Sequence, residues 1–569
     1  MRGFLRTSVI ATAALAAALA AFLILTLPPP AVALDGRVPG TFAPGAYHIH
    51  TVRSDGTGTV DEIAAAAARA GLRFLVFTDH GDGTRSPDPP AYRHGVLCLD
   101  AVEISTMDGH LVALGLPAPA PYPLAGRARD VMADVHRMGG TAVAAHPDSP
   151  KPDLRWQAQG AAYDGIEWIN ADSEWRDETP VDLAAAGLRA LVRPAESIAT
   201  LFARPGRTLR RWDTAARSRP VFGLAAVDAH ARISWREDEE PRRRTTLARP
   251  SYESMFETLV QTVVLDTALS GEAGEDGARV LGALTSGRSF SIVRALAWPA
   301  SLEFSASGGD RTVQMGHRLA EVDMPPAGLR FDAAVPQAPG ARLTLWRDGV
   351  QIATGQGDLS HRATGRQSGV YRIEVSFPGG LVPWIVSNPI VVGDVPGPGG
   401  GPGGAPQPDP SEWYEVSVDT RWDIEKDPSS SGSQVSEGDE VSLEYALGPG
   451  VPSGQYAALV APVEAPAGVD RVSFVGRADR PTRLAVQVRL AGQQEGRRWR
   501  HSVYLDSAAR PITIRLQEFE PAEGSTSQRP VVAPLQSLLF VLDTVNTAPG
   551  TGGRVWLSNV RLGVDRLEE

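Results

Sequence analysis

The sequence predicts an α/β domain of barrel-like layout followed by two β-sandwiches. Three observations carry that reading. Between residues 45 and 293, short apolar runs alternate with Ala-rich helical patterns, as expected for strands covered on both faces by helices. Beyond residue 294 the pattern changes to period two, the mark of strands with one buried face. A tract PGPGGGPGGAPQPDP at 396–410 divides the β-rich remainder, and that composition makes a flexible linker, not a core. The 569 residues suffice for about three or four domains.

Each segment can be justified in order. Residues 1–34 carry Arg2 and Arg6, then an uncharged Ala/Leu-rich stretch from Ser8 to Leu27, then Pro28-Pro29-Pro30 and the small-x-small triplet Ala31-Val32-Ala33. This reads as a signal peptide or an N-terminal membrane anchor, since the length fits both. Either way the positive flank stays inside and the remainder is exported. The expected location is extracytoplasmic, secreted or anchored by this segment, the only contact with a membrane.

Residues 35–293 hold the α/β domain. Its expected strands are 72–78 (LRFLVFT), 101–105 (AVEIS), 111–116, 141–145 (TAVAA) and 221–227. Thr59 and Glu62 form a capping-box pair opening the first helix, and Gly71 closes it. A second helix covers 128–138 and stops at Gly139-Gly140. Residues 294–393 alternate at 342–347 and 371–377, with Asp348-Gly349 as a hairpin signal, and predict a small Ig-like sandwich. Residues 394–411 are the linker. Residues 412–569, with clear strands at 538–543 and 554–560, predict a second, larger β-sandwich.

Composition excludes several classes. Lys+Arg 55 against Asp+Glu 66 leaves a net charge of −11, which argues against general nucleic-acid binding. The single cysteine, Cys98, rules out a disulfide framework, a thiolate zinc finger and an iron–sulfur site.

The chemistry-bearing residues sit at strand ends of the α/β domain. His48 and His50 are two apart, so on a strand both imidazoles share one face. Asp55 follows in a Gly-containing loop. Asp79-His80 closes the LRFLVFT strand, and Glu103 lies on the next. Asp108-Gly109-His110 makes a turn and opens another strand; His146 ends TAVAA; Asp228 and His230 repeat the two-apart spacing. Nitrogen and carboxylate ligands of this kind suit zinc, manganese or iron, and α/β barrels place active sites at the carboxyl ends of their strands. Asp79 reads equally as a turn residue. Glu167 and Asn170 either line the pocket or end a strand. Arg85, in the loop after Asp79-His80, reads as a solvated loop charge or as the candidate phosphate contact.

The ordered set HxH, SDG, TDH, a strand Glu, GHxxxLG, AHP and DxH resembles the PHP (polymerase and histidinol phosphatase) family over about residues 46–293. The resemblance implies a distorted (βα)7 TIM-like barrel holding two or three divalent ions. It implies that His48, His50, Glu103 and Asp228 bind one metal, that Glu103 bridges to a second held by His110 and His146, and that Asp55, His80 and His230 hold a third. It implies hydrolysis of phosphate esters of a small phosphorylated substrate by metal-generated hydroxide, with His80 or His230, if not fully engaged by a third metal, protonating the leaving alkoxide. Asp55 stands where some branches carry histidine. Residues 538–560 resemble the closing strands of a galactose-binding-like jelly roll, which implies a carbohydrate partner; Trp413, Tyr414 and Trp422 would stack on sugar or pack a core. Two other readings remain: a catalytically weak PHP protein acting as a surface or carbohydrate-binding protein, and a metal-dependent hydrolase of a non-phosphate bond.

Overall fold

The computed structural model describes residues 2–158, 160–234, 246–247, 250–320, 328–363, 368–377, 380, 382–393, 412–416, 421–450, 454–463, 468–490, 498–522 and 535–564. The expected linker 394–411 lies outside them. The chain forms two compact units, residues 1–81, 86–118 and 127–401, and residues 82–85, 119–126 and 402–569.

The first unit opens with helix α1 (Arg2–Thr26) and the short strand β1 (Val32–Ala33). From Ser8 to Thr26, α1 is long and apolar enough to cross a membrane. Strand β2 (Phe42–Tyr47) leads to helix α2 (Val60–Arg69) and strand β3 (Phe74–Phe77). The capping box forms as the sequence requires: the Thr59 hydroxyl accepts from the Glu62 amide, and Glu62 Oε2 accepts from the Thr59 amide. Gly71 leaves the helix at φ +74°, the left-handed region that glycine enters without steric cost.

Strands β4 (Ala91–Arg93), β5 (Val96–Asp100), β6 (Val102–Thr106) and β7 (Gly109–Leu114) follow, then helix α3 (Ala128–Arg137) and strands β8 (Thr141–Ala144) and β9 (Gly165–Asn170). Helices α4 (Pro180–Arg189), α5 (Pro194–Ala199) and α6 (Gly206–Ala216) precede strand β10 (Phe222–Ala226). The pair β11 (Ile233–Ser234) and β12 (Thr246–Leu247), helix α7 (Tyr252–Thr258), strand β13 (Val260–Val264), helix α8 (Ala273–Thr285) and strands β14 (Ser289–Ile292) and β15 (Ala297–Trp298) complete the region.

The strands depart from the parallel arrangement of a βα barrel at β4, antiparallel to β5, at β13, antiparallel to β2 and β14, and at β7, antiparallel to both β6 and β8. At β7 the cause is local. Thr106 and Gly109 pair across a two-residue turn, and a parallel return would need a dozen residues or more.

The strand order gives two larger sheets among the described residues of this region. One runs β10-β9-β8-β7-β6; the other carries β14-β13-β2-β3-β5-β4. The sheets meet at two seams. At one, Val227 N donates to Tyr47 O (3.1 Å), Ala229 N to His48 O (3.2 Å) and His50 N to Ala229 O (3.0 Å). At the other, Ala101 N donates to Phe77 O (2.8 Å), Glu103 N to Asp79 O (3.2 Å) and Gly81 N to Glu103 O (3.0 Å). Both seams lie where the histidine-bearing strands end.

The 294–393 segment shares hydrogen bonds with the α/β region: β14 pairs antiparallel with the strand Ile385–Ser387. Fully buried Arg372 binds both carboxylate oxygens of Asp213 on α6 (2.8 and 2.9 Å). Such a bidentate pair satisfies a charge that burial would otherwise penalise heavily. Asp348 and Gly349 form the expected hairpin turn, both with positive φ (+52° and +79°), between strands Arg342–Arg347 and Val350–Gln356.

Among the described residues, the second unit contains two six-stranded sheets whose strand pairs are all antiparallel. Leu443, Phe474, Leu484, Trp499, Phe540 and Leu562 belong to one apolar core with Trp422. The expected strands at 538–543 and 554–560 appear as Leu535–Asp543 and Gly552–Val564.

Candidate metal centre

The residues singled out at strand ends converge. His48 Nε2 and His50 Nε2 lie 3.1 Å apart. Glu103 Oε2 is 3.3 Å from each, and Asp228 Oδ1 is 3.4 and 3.3 Å from them. All four side chains are buried. A tetrahedral ion with ligand bonds of about 2.0 Å has ligand–ligand edges of about 3.3 Å. The five separations, 3.1–3.4 Å, match that edge.

The tautomers agree with this arrangement. A carboxylate or carbonyl oxygen can only accept, so the imidazole nitrogen facing it must donate. His48 Nδ1 donates to Glu167 Oε1 (2.6 Å), His146 Nδ1 to Leu154 O (3.1 Å), and His230 Nδ1 to Asp228 O (3.0 Å). His50 Nδ1 faces Ser54 Oγ at 3.4 Å, and that hydroxyl itself donates to Asp79 Oδ1 (2.7 Å). Each of these four rings therefore turns Nε2 inward, the orientation that outer partners impose on metal-binding histidines. The facing His48 and His50 Nε2 atoms need a proton or a cation between them.

Around this focus lie two further groups. Glu103 Oε1 accepts from His110 Nδ1 and His146 Nε2, both at 2.8 Å, and Glu103 Oε2 faces His80 Nδ1 at 3.1 Å. Asp55 Oδ1 faces His230 Nε2 (3.2 Å), His50 Nδ1 (3.6 Å) and His80 Nε2 (3.7 Å). Ligand atoms within 4.8 Å of one another are offered by His48, His50 and Asp228, by His80, Glu103 and His110, and by His50, Asp55, His80 and His230. Two buried carboxylate oxygens, Asp228 Oδ1 and Asp55 Oδ1, have no hydrogen-bond partner. Buried polar atoms are rarely left so, and both point where a cation would satisfy them.

The titration of the metal-free cluster follows from its charges. Burial opposes protonation of His48, but Asp228, Glu167 and Glu103 together hold its pKa well above the ordinary value. Burial also opposes ionisation of Glu103 and Asp228, yet His48 and the surrounding imidazoles hold both well below the carboxylate range. For His230, burial is outweighed by the Asp55 carboxylate facing its Nε2 and by the Asp228 charge, which raise it to about 9. His80 goes the other way, lowered chiefly by burial. Binding of a divalent ion at these groups would compete with their protons and release them.

Several supporting residues carry no distinct sequence signal. Glu167 Oε2 accepts from the His146 amide (2.7 Å) and from Asn170 Nδ2 (2.9 Å), and Asn170 also donates to Asp228 Oδ2 (3.0 Å). The spacing in IEWIN identifies a strand end without revealing this bracing role. Asp79 serves the turn: it accepts from Thr51 N and Thr51 Oγ1 as well as Ser54. Arg232 donates to Asp55 Oδ2 (3.0 Å). Gly56 permits the loop carrying Asp55 to pass the His50 carbonyl, which a Cβ would meet at 2.2 Å. Arg85 is exposed and groups with the second unit; the cluster described above is built without it.

No family model matches the chain, and no curated protein matches it. Among solved structures, a two-domain protein from Bacteroides vulgatus containing a predicted PHP-like metal-dependent phosphoesterase overlaps 63% of this chain and 99% of its own, at 14% identity and a TM-score of 0.28. A family 11 carbohydrate-binding module from Clostridium thermocellum overlaps 29% of this chain and 100% of its own, at 16% identity and a TM-score of 0.23. A family 29 carbohydrate-binding module from Piromyces equi overlaps 27% and 90%, at 8% identity and a TM-score of 0.18. The chemical reading rests on the geometry of the cluster.

Proposed function

We propose that this protein is an exported, metal-dependent phosphoesterase acting on a small phosphorylated substrate. The supporting observation is the placement of Glu103 Oε2 and Asp228 Oδ1 each 3.3–3.4 Å from His48 Nε2 and His50 Nε2, which are 3.1 Å apart. On this reading the two sheets joined at both seams form the distorted (βα)7 barrel, and the ions are zinc, manganese or iron.

His48, His50, Glu103 and Asp228 would hold one ion, Glu103 with His110 and His146 a second, and Asp55, His80 and His230 a third. Bound there, such ions supply Lewis acidity toward a phosphoryl oxygen and lower the pKa of water. The chain's own residues do the rest. Glu167, Ser54 and the Leu154 carbonyl lock ring orientation. Glu103 turns its two oxygens toward different groups of imidazoles. When no ion occupies the third group, His230 retains a proton to about pH 9 and is suited to deliver one to a departing alkoxide, whereas burial keeps His80 neutral and suited to accept. Arg232, braced on Asp55, brings a guanidinium to the third group, the fork geometry that suits phosphate oxygens.

The test is hydrolysis of p-nitrophenyl phosphate by metal-loaded protein and by the His48→Ala/His50→Ala variant, with circular dichroism to verify folding. Turnover should vanish in the variant. Unchanged turnover in a purified sample would remove the proposal.

A further inference from the structure

We propose that α1 is retained as a membrane anchor and that the face around α4 rests on the outer surface of the same bilayer. Beyond residue 33, the described residues include eight exposed large apolar side chains, and five fall within 175–192: Trp175, Val181, Leu188, Leu191 and Val192. Val181 and Leu188 are seven apart on α4, two helical turns, and so share a face. Only Ala186 of α4 is buried. A concentration of exposed apolar surface marks a binding face, and the chain itself indicates what covers this one.

That indication is the exit of α1. The helix lies against α4, and Phe22 and Leu23 near its end are partly covered while Ile24 and Leu25 are exposed. The segment after it is tied down at once. The Arg193 guanidinium donates to Pro28 O, and Ala31 N donates to Glu196 Oε1 (3.2 Å). Arg193 follows directly on Leu191-Val192, so the apolar turn and the exit of the helix are held together. From Ser8 to Thr26, 19 residues at 1.5 Å rise span about 28 Å, close to the hydrocarbon thickness of about 30 Å. With α1 across the bilayer, its last turn lies at the outer interface, and the 188–192 turn lies there too. Trp175, with Arg176 stacked at 4.9 Å, has the amphipathic character of residues that settle at headgroup depth.

Retention of α1 has its own support. The small-x-small triplet is not a spent tail. Val32 and Ala33 form β1, paired in parallel with β15, with Val32 N donating to Leu296 O and Leu34 N to Trp298 O, both at 3.0 Å. Cleavage after Ala33 would remove a strand that the folded domain uses. The proposal does not depend on the phosphoesterase reading.

The experiment uses the full chain in single-copy nanodiscs of phosphatidylcholine and phosphatidylglycerol. An environment-sensitive fluorophore is placed by Leu191→Cys and, as a control, by Val350→Cys, whose native side chain is 62% exposed; the native Cys98 is buried. The label at 191 should be quenched several-fold more than that at 350 by lipids spin-labelled near the headgroup, and shielded from aqueous iodide. Equal behaviour at both positions overturns the proposal. Shielding without lipid quenching also overturns it, because protein would then be the cover. The intact mass of membrane-extracted protein should include residues 8–26; a chain beginning at Leu34 would overturn retention.

Discussion

Glu167→Gln isolates the contribution of a residue that touches no ion. Three N–H groups converge on its two oxygens: His48 Nδ1 at 2.6 Å on Oε1, and the His146 amide at 2.7 Å with Asn170 Nδ2 at 2.9 Å on Oε2. A carboxylate accepts all three. Glutamine offers one accepting oxygen and one NH2, so at least one donor must face another donor. The lower-cost arrangement keeps the carbonyl toward the His146 amide and Asn170 and places the NH2 against His48 Nδ1. His48 must then carry its hydrogen on Nε2, the nitrogen facing His50, Glu103 and Asp228. Loss of such an outer partner typically weakens metal affinity about 10- to 100-fold, or about 1.4–2.7 kcal/mol. The assay is competition with a chromophoric chelator, followed by turnover of p-nitrophenyl phosphate as metal concentration rises. Weakened affinity with partial recovery of turnover at high metal is expected. An unchanged dissociation constant would refute the tautomer argument, because it would mean that His48 orientation does not depend on Glu167.

Three further outcomes follow from the same geometry. Metal removal by a chelator should abolish turnover and re-addition should restore it, measured by elemental content and rate on the same sample. In the metal-free chain, His230 is raised from 6.5 to about 9, so its stabilising contribution is full below about pH 6.5 and is lost as pH rises through about 9; Asp55 is lowered, so its contribution is present above the ordinary carboxylate range and lost as pH falls through its folded value. Urea unfolding across pH should show both slopes, and His230→Gln should reduce the alkaline one, leaving the part that His48 and His146, also raised, contribute. Trp422→Ala should destabilise the second unit by about 3–5 kcal/mol, because its ring is 6% exposed within the apolar core, while turnover by the first unit is unchanged; calorimetry and the phosphatase assay read the two separately.

What was legible in the sequence tracks how local the information is. The α2 cap, the stop at Gly71 and the Asp348-Gly349 turn are written in neighbouring residues, and each forms as read. The antiparallel β7 was obscured because its apolar run looks the same in either direction; the evidence lay in the two-residue turn at Met107-Asp108, not in the strand. The cluster was legible because motif order supplied what spacing could not. Its bracing was not: Glu167 reaches His48 across 119 positions and Arg232 reaches Asp55 across 177, separations with no periodic signature. Of the aromatics named for sugar stacking, Trp422 is committed to the core and Tyr414 packs against it, while Trp413 lies beneath the Arg561 guanidinium at 4.1 Å. Composition cannot separate those fates.

The backbone at the cluster supplies a physical reason for these positions to be ligands. His48, His146 and Asp228 have φ of +70°, +28° and +45°, a region that non-glycine residues enter at a cost of order 1–3 kcal/mol each. Ordinary strand ends have no need of it. At these three positions the turn aims His48 Nε2 and Asp228 Oδ1 at one another and His146 Nε2 at Glu103, so the strain sits on side chains of the focus itself. In the metal-free chain, protons shared between imidazoles and carboxylates must offset it, and that compensation fails at either pH extreme. A cation bound at the same point would replace several titrating contacts with one that persists wherever the ligands stay deprotonated. Metal should therefore broaden the pH range over which the first unit remains folded, besides raising its midpoint. An ion that raised the midpoint equally at every pH would point to binding elsewhere in the molecule.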